Sequence, residues 1–382
     1  MEQPRHSARG SHAAVVDTKE STPRDFAEEV GFLGLTTMFR RLKDRWVSRI
    51  CTSIPFDVWQ TIGGVDLVIP YWHVVCDHDL PHVSELYRFR SIRQFEADVD
   101  FFLRHYSPVT EQEVIRHLHD GSALPRRSVL FTFDDGFREI HEVIAPILRT
   151  KGASASFFLI TSAIDNQHLC YPQKKSLVIG ALARGWSGTA LDEVARLLSS
   201  AGVPNDSSVV SRIRGVSYRQ RDVLDDLGRI LECDFQKYLA SGRPYVTSQQ
   251  VEDLLRQGFA IGAHSVDHPS YADLSLDEQL FQTGESMRWI SERFHIECQS
   301  FAFPYRDNGV GPDFFRSMFS EGRLKVSFGT GGLVPHPFRY NLRRVLVGNT
   351  DLTAGETVVR RLARSVGPRL AATMRRQSTT WA

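Results

Sequence analysis

Between residues 65 and 305 the sequence alternates short β-prone runs with amphipathic helical stretches, and this alternation restricts the fold more than any other feature. VDLVIPYWHVV (65–75) and RSVLFTF (127–133) read as strands, while SIRQFEADVDFFLRHY (91–106) places Phe95, Val99, Phe102 and Leu103 on one helical face. REIHEVIAPILRTKG (138–152) predicts a helix closed by Gly152, and ASASFFLIT (153–161) the next strand. A second cycle follows: SQQVEDLLRQG as helix, FAIGAHS as strand, LDEQLFQTGESMRWISERF as helix and SFAFPY as strand. Repeats of this kind build a parallel sheet or barrel covered by helices. Active sites in such folds lie at the C-terminal ends of the strands.

The rhythm breaks from about 165 to 243, where LDEVARLLSSAG and YRQRDVLDDLGRILE predict a helical insertion beside the strand ends, placed to shape access to a site. Residues 1–30 are polar and mixed in charge, without the apolar core of a secretory signal, and read as a disordered tail. Within 31–64, Leu33, Met38, Phe39, Leu42, Trp46 and Ile50 recur at helical spacing opposite a row of arginines. Such a basic amphipathic helix either packs on its own domain or makes peripheral contact with an anionic membrane. The segment 353–382 reads as a basic C-terminal helix, solvated and fraying into a tail.

At 382 residues with 42% hydrophobic composition the chain can bury a substantial core, and a net charge of +1 gives no field to steer nucleic acid. Cys51, Cys76, Cys170, Cys233 and Cys298 are scattered and odd in number, which argues against a disulfide framework and for a reducing compartment. No apolar run is long enough to span a bilayer. Together these features predict a cytoplasmic protein.

Two motifs carry chemistry. LFTFDDGF (130–137) places Asp134 and Asp135 where a strand stops, followed by Gly136. Neighbouring side chains on a strand point to opposite faces, so both carboxylates can reach one site only after the strand has ended. Gly136 permits that turn. IGAHSVDHPSY (261–271) follows another strand and sets His264 and His268 four apart, on one side of the chain. Two histidines and an aspartate at strand ends make a catalytic metal site by ligand type, suited to zinc or another divalent metal.

TFDDGF (132–137), HSVDH (264–268) and FAFPY (301–305) together resemble the polysaccharide deacetylases of carbohydrate esterase family 4, the NodB-homology domains, in the subgroup with a Phe-Ala-Tyr-Pro-Tyr-like third motif. The resemblance implies a catalytic domain over 65–352 folded as an α/β, distorted (β/α) barrel of fewer than eight strands with the helical insertion. It implies hydrolysis of an N-acetyl group on an amino sugar with a divalent metal, zinc first and cobalt or nickel as alternatives. Asp134 is then the general base, Asp135, His264 and His268 the metal ligands, and the backbone of Tyr305 the oxyanion donor. For the proton returned to the leaving amine the chain offers His336, in LVPHP (333–337), and His73, on the first strand. The arginine that opens the family's third motif is absent, as is its Asp-x-x-Asp-Trp motif, and Arg343 or Arg344 could substitute.

The substrate implied is a nucleotide-linked or lipid-linked N-acetylated sugar in surface-polysaccharide assembly, met in the cytoplasm or at the inner membrane surface. Two other classes stay open. The same fold and ligand set serve hydrolysis of other C–N bonds, such as N-formyl groups or cyclic amides, and a catalytically silent carbohydrate-binding protein is the third reading.

Overall fold

The computed structural model describes residues 55–320 and 322–365. The N-terminal tail, the basic segment up to residue 54 and the last part of the C-terminal segment lie outside the described residues.

A parallel sheet of eight strand segments forms the centre. In chain order these are β1 (Pro70–Trp72), β2 (Phe131–Phe133), β3 (Ala155–Leu159), β4 (Ala260–Ala263), β5 (Ser300–Ala302), β6 (Val326–Gly329), β7 (Asn341–Arg343) and β8 (Val345–Leu346). Their spatial order is β7-β6-β5-β4-β3-β2-β1-β8. The two edge segments, β7 and β8, are one run of chain broken only at Arg344, so seven strands close on themselves, as the expectation of fewer than eight requires. Arg344 N–H donates to Gly329 O at 3.0 Å and Val345 N–H to Ile69 O at 2.8 Å, which sews the last strand to β6 on one side and to the chain entering β1 on the other. Closed in this way, the eight-segment sheet has no free edge of its own among the described residues.

Pleating sorts the side chains. Phe131 and Phe133 point outward into a core with Trp72, Phe95 and Phe102 under the helix Ile92–His105. Trp72 stacks on both phenylalanines, at 6.1 and 5.4 Å between centroids. Leu130, Phe158, Ala302, Val326 and Phe328 form a second cluster with Ile69 inside the barrel. The interior is narrow: a Cβ added to Gly262 on β4 would lie 2.5 Å from both Phe158 and Ser300 Oγ.

Local signals explain most helix ends. Ser91 with Gln94 and Ser275 with Glu278 form capping boxes on Ile92–His105 and Leu276–Phe294. The stretch after the aspartate pair begins as a π turn, Ile140–Ile144, before continuing as Ala145–Thr150. Between β3 and β4 lie the inserted helices Tyr171–Leu182, Gly188–Ser200, Val209–Gly215, Val223–Ile230 and Phe235–Gly242. Cys76, Cys170, Cys233 and Cys298 are free thiols.

The C-terminal helix differs from the solvated one that its basic composition suggests. Its described part, 354–365, buries Val358 and Leu362 completely, and a Cβ on Gly63 would meet Leu362 at 2.6 Å. Apolar residues four apart on one face decide the packing, while the arginines occupy the other positions.

A buried ion pair ties this end of the chain to the barrel. Arg90 Nε lies 2.8 Å from Asp98 Oδ2, Arg90 Nη1 donates to Thr350 O at 2.8 Å, and Ala354 N–H donates to Asp98 Oδ1 at 3.1 Å. Replacing Arg90 by leucine strands a buried carboxylate and should cost about 3–5 kcal/mol. Urea unfolding monitored by circular dichroism measures the loss, and a change below about 1 kcal/mol would show the pair to be dispensable.

Candidate active site

Asp134 continues the inward alternation of Leu130 and Thr132, with its N–H bonded to Trp72 O at 3.0 Å. The chain then leaves the strand through two left-handed residues, Asp135 at φ 72° and Gly136 at φ 75°. The first turns the Asp135 side chain into the same cavity as Asp134. The second is tolerated because glycine has no Cβ to clash, and here a Cβ would also meet Leu159 at 3.0 Å.

His264 extends the β4 ladder by donating its N–H to Leu159 O at 2.9 Å. Left-handed Ser265 and His268, at φ 68° and 63°, then fold the loop so that both imidazoles face Asp135. Ser265 Oγ accepts from His268 N–H at 3.0 Å, and buried Gln282 accepts from Val266 N–H at 3.0 Å, which fixes the loop from inside. Tyr305, at φ 56°, is a further non-glycine residue in this region. Left-handed conformations of such residues are costly and concentrate where a fold must aim groups at one point.

The donor atoms of Asp135, His264 and His268 all lie within 4.8 Å of one another, and all three residues are buried. His264 Nε2 and His268 Nε2 stand 3.4 and 3.2 Å from Asp135 Oδ1, an oxygen that has no hydrogen-bond partner. His264 donates its Nδ1 proton to Ala302 O at 2.8 Å, which leaves the Nε2 lone pair toward the carboxylate. Lone pairs on one point in a buried site require a cation between them. The residues therefore fit a divalent metal, with the Ala302 carbonyl orienting one ligand from behind.

Asp134 is held differently. Its two oxygens accept from Arg344 Nη1 and Nη2 at 2.6 and 2.7 Å, a bidentate pair with both side chains buried. The guanidinium sits against the rings of Tyr71 and Phe158, at 4.5 and 5.4 Å from their centroids. Burial pushes the Asp134 carboxyl up, but the Arg344 charge, His264 and the hydrogen bonds from Arg344 outweigh it, and the group ionises below the ordinary aspartate range.

These groups open into a cavity of about 370 Å³, within the size range of small-ligand sites. Tyr71, His73, Tyr87, Phe303, Tyr305 and Thr330 line it from the barrel, and Gln173, Lys175 and Arg214 from the inserted helices. Tyr305 OH bonds to Tyr171 OH at 2.8 Å, which joins barrel to insertion. The Tyr305 N–H bonds to no acceptor among the described residues.

The two histidines offered for the last proton transfer separate. His73 lines the cavity, its Nδ1 buried and without a partner; burial lowers its pKa and Asp135 and Asp134 pull it back up. His336 is not among the lining residues: its Nδ1 accepts from Phe338 N–H at 3.1 Å, its Nε2 lies 4.0 Å from Asp307, and its ring packs on Phe315. Arg344 was legible only as one of two candidate arginines, because sequence does not reveal which neighbour faces inward. Tyr87, in the cavity wall, and Lys175 carry no motif that would single them out.

Residues 121–310 match the family model described as Polysaccharide deacetylase. The match contains Asp134, Asp135, His264, His268 and Tyr305 and ends before Arg344. Among solved structures, the Streptococcus pyogenes deacetylase PplD in complex with acetate is 14% identical, with a TM-score of 0.50 over 78% of this chain and 98% of that one. IcaB from Ammonifex degensii is 17% identical, with a TM-score of 0.49 over 78% and 97%. A de-N-acetylase from Aggregatibacter actinomycetemcomitans is 15% identical, with a TM-score of 0.47 over 78% and 99%. The first of these shows the fold. No curated protein sequence matches the chain.

Two outcomes follow from the site's electrostatics. Zinc added to the metal-free protein should raise its melting temperature, by about 2.7 kcal/mol of stabilisation at a hundredfold excess over Kd, and the shift should vanish in His264→Ala and His268→Ala. Binding of equal strength in both variants would show that the metal sits elsewhere. Arg344→Leu should destabilise the metal-free protein by about 3–5 kcal/mol at neutral pH. Because Asp134 has a lowered folded pKa, its contribution is present above the ordinary aspartate range and lost as pH falls through the folded value. The acid side of a stability–pH profile should therefore be less steep in the leucine variant.

Proposed function

We propose, from its membership of the polysaccharide deacetylase family through residues 121–310, that this chain is a metal-dependent hydrolase that removes the N-acetyl group of an amino sugar. The observation that carries the reading is the buried Asp135, His264 and His268 set beside a second, separately paired aspartate in one cavity. A binding module has no physical need for two ionised, buried carboxylates held apart by different partners.

Asp135, His264 and His268 would hold the metal, which when bound polarises the acetyl carbonyl and acidifies a water molecule. Asp134 takes the proton of the attacking water. A carboxylate has lone pairs to spare beyond the two used by Arg344, and the bidentate pair fixes its direction. The Tyr305 N–H, which bonds to no acceptor among the described residues, donates to the oxyanion as the carbonyl becomes tetrahedral, a backbone donor that needs no reorganisation. His73, in the cavity wall, is better placed than His336 to return a proton to the leaving amine as the C–N bond breaks. Products are acetate and the free amino sugar.

The substrate we propose is an N-acetylated sugar carried on a nucleotide or a lipid during surface-polysaccharide assembly on the cytoplasmic side of the membrane. The test is acetate release from nucleotide-linked, lipid-linked and free N-acetylated sugars, with zinc, cobalt or nickel restored to metal-free protein. Acetate should require metal, and Asp134→Asn should lower kcat by about 10²–10⁴-fold. Stoichiometric metal without acetate from any sugar would move the assignment to another C–N bond or to binding alone.

A further inference from the structure

Lys175 is an unusual residue for the place it occupies. It lies one turn beyond Tyr171 on the inserted helix Tyr171–Leu182, is only 8% exposed, and lines the cavity that contains the aspartates. Its ammonium donates to Arg214 O at 3.1 Å and stands 4.8 Å from the Tyr171 ring centroid. Among the described residues no carboxylate comes within ion-pair reach of it, whereas its neighbour Lys174 pairs with Asp225 at 2.6 Å. The lining carboxylates are already engaged, Asp134 by Arg344 and Asp135 by the imidazoles. Burial pushes Lys175 down to about 8, as befits an ammonium without a counter-ion.

A buried ammonium held by a carbonyl and a ring face but by no counter-charge is destabilising, and an anionic ligand would complete it. Arg214 lines the same cavity from the insertion, its guanidinium half-exposed and 3.5 Å from Glu85. An ammonium and a guanidinium from residues that line one cavity match an anion with several acceptor oxygens. Resting on the deacetylase reading above, we propose that Lys175 and Arg214 form a phosphoryl subsite, so that the substrate is an N-acetylated sugar bearing a phosphate ester or diphosphate. The barrel then selects the acetamido group and the insertion selects the anionic carrier.

Calorimetric binding to the full chain carrying Asp134→Asn, which prevents turnover, tests the subsite. The probes are an N-acetylhexosamine 1-phosphate, its nucleoside-diphosphate and polyprenyl-diphosphate forms, and the neutral methyl glycoside. The phosphorylated sugars should bind at least about tenfold more tightly than the methyl glycoside, the scale of a charge-assisted hydrogen bond. Lys175→Met should remove most of that preference and Lys175→Arg should retain it, while an anion held only by the metal would respond to neither. Arg214→Met, at a half-exposed position that tolerates substitution, should reduce the preference in its own right. Comparison of the two diphosphates identifies the carrier. Equal affinity for charged and neutral sugars, or a preference that survives both methionine variants, overturns the proposal. Preference for phosphorylated sugars without acetate release from any of them by the unsubstituted enzyme would remove the deacetylase reading and leave the subsite; acetate released equally from charged and neutral sugars would do the reverse.

Discussion

The ion pair between Arg344 and Asp134 holds the structure and its chemistry together. Arg344 occupies the single position between β7 and β8 where the sheet closes, and its side chain is fully buried inside the barrel. A guanidinium there is tolerable only against a carboxylate in bidentate geometry and with aromatic faces beside it, and Asp134, Tyr71 and Phe158 supply both. The pairing also fixes the state of Asp134, an ionised carboxylate aimed rigidly into the cavity and set apart from the Asp135, His264 and His268 cluster. Closure of the barrel and orientation of Asp134 are thus one interaction.

Around that pair, the strand ends divide the work by how each leaves the sheet. β2 exits through two left-handed residues that send adjacent aspartates to one cavity, β4 exits through a loop locked by Ser265 and Gln282, and β5 exits through left-handed Tyr305. The strain is sustained because each turn is bonded into buried structure on the far side. The inserted helices then cover the opening, joined to the barrel by the hydrogen bond between Tyr305 and Tyr171. Rigid barrel positions thus carry the buried aspartates and histidines, and the added helices line the same cavity.

Much of this was legible in the chain. The β/α cycles, the insertion and the aspartate and histidine motifs stand in the sequence because periodicity and turn chemistry are local. The last strands were not. β7 and β8 enclose polar Asn341, Arg343 and Arg344, a composition that hides a strand. The C-terminal helix was misjudged for a related reason: its arginines dominate the composition, while Val358 and Leu362 decide the packing.

By itself the sequence determined the fold class, the order of the elements it could read and the motifs whose Asp135, His264 and His268 converge in one buried cluster, since alternation, capping and strand-end motifs act over a few residues. Tertiary structure decided which of two adjacent arginines pairs with Asp134, that His73 rather than His336 lines the cavity, and that among the described residues Lys175 has no counter-ion. Each of these depends on residues more than a hundred positions apart, or on which face of a strand or helix turns inward. Closure of the barrel sets that, and no local pattern encodes it.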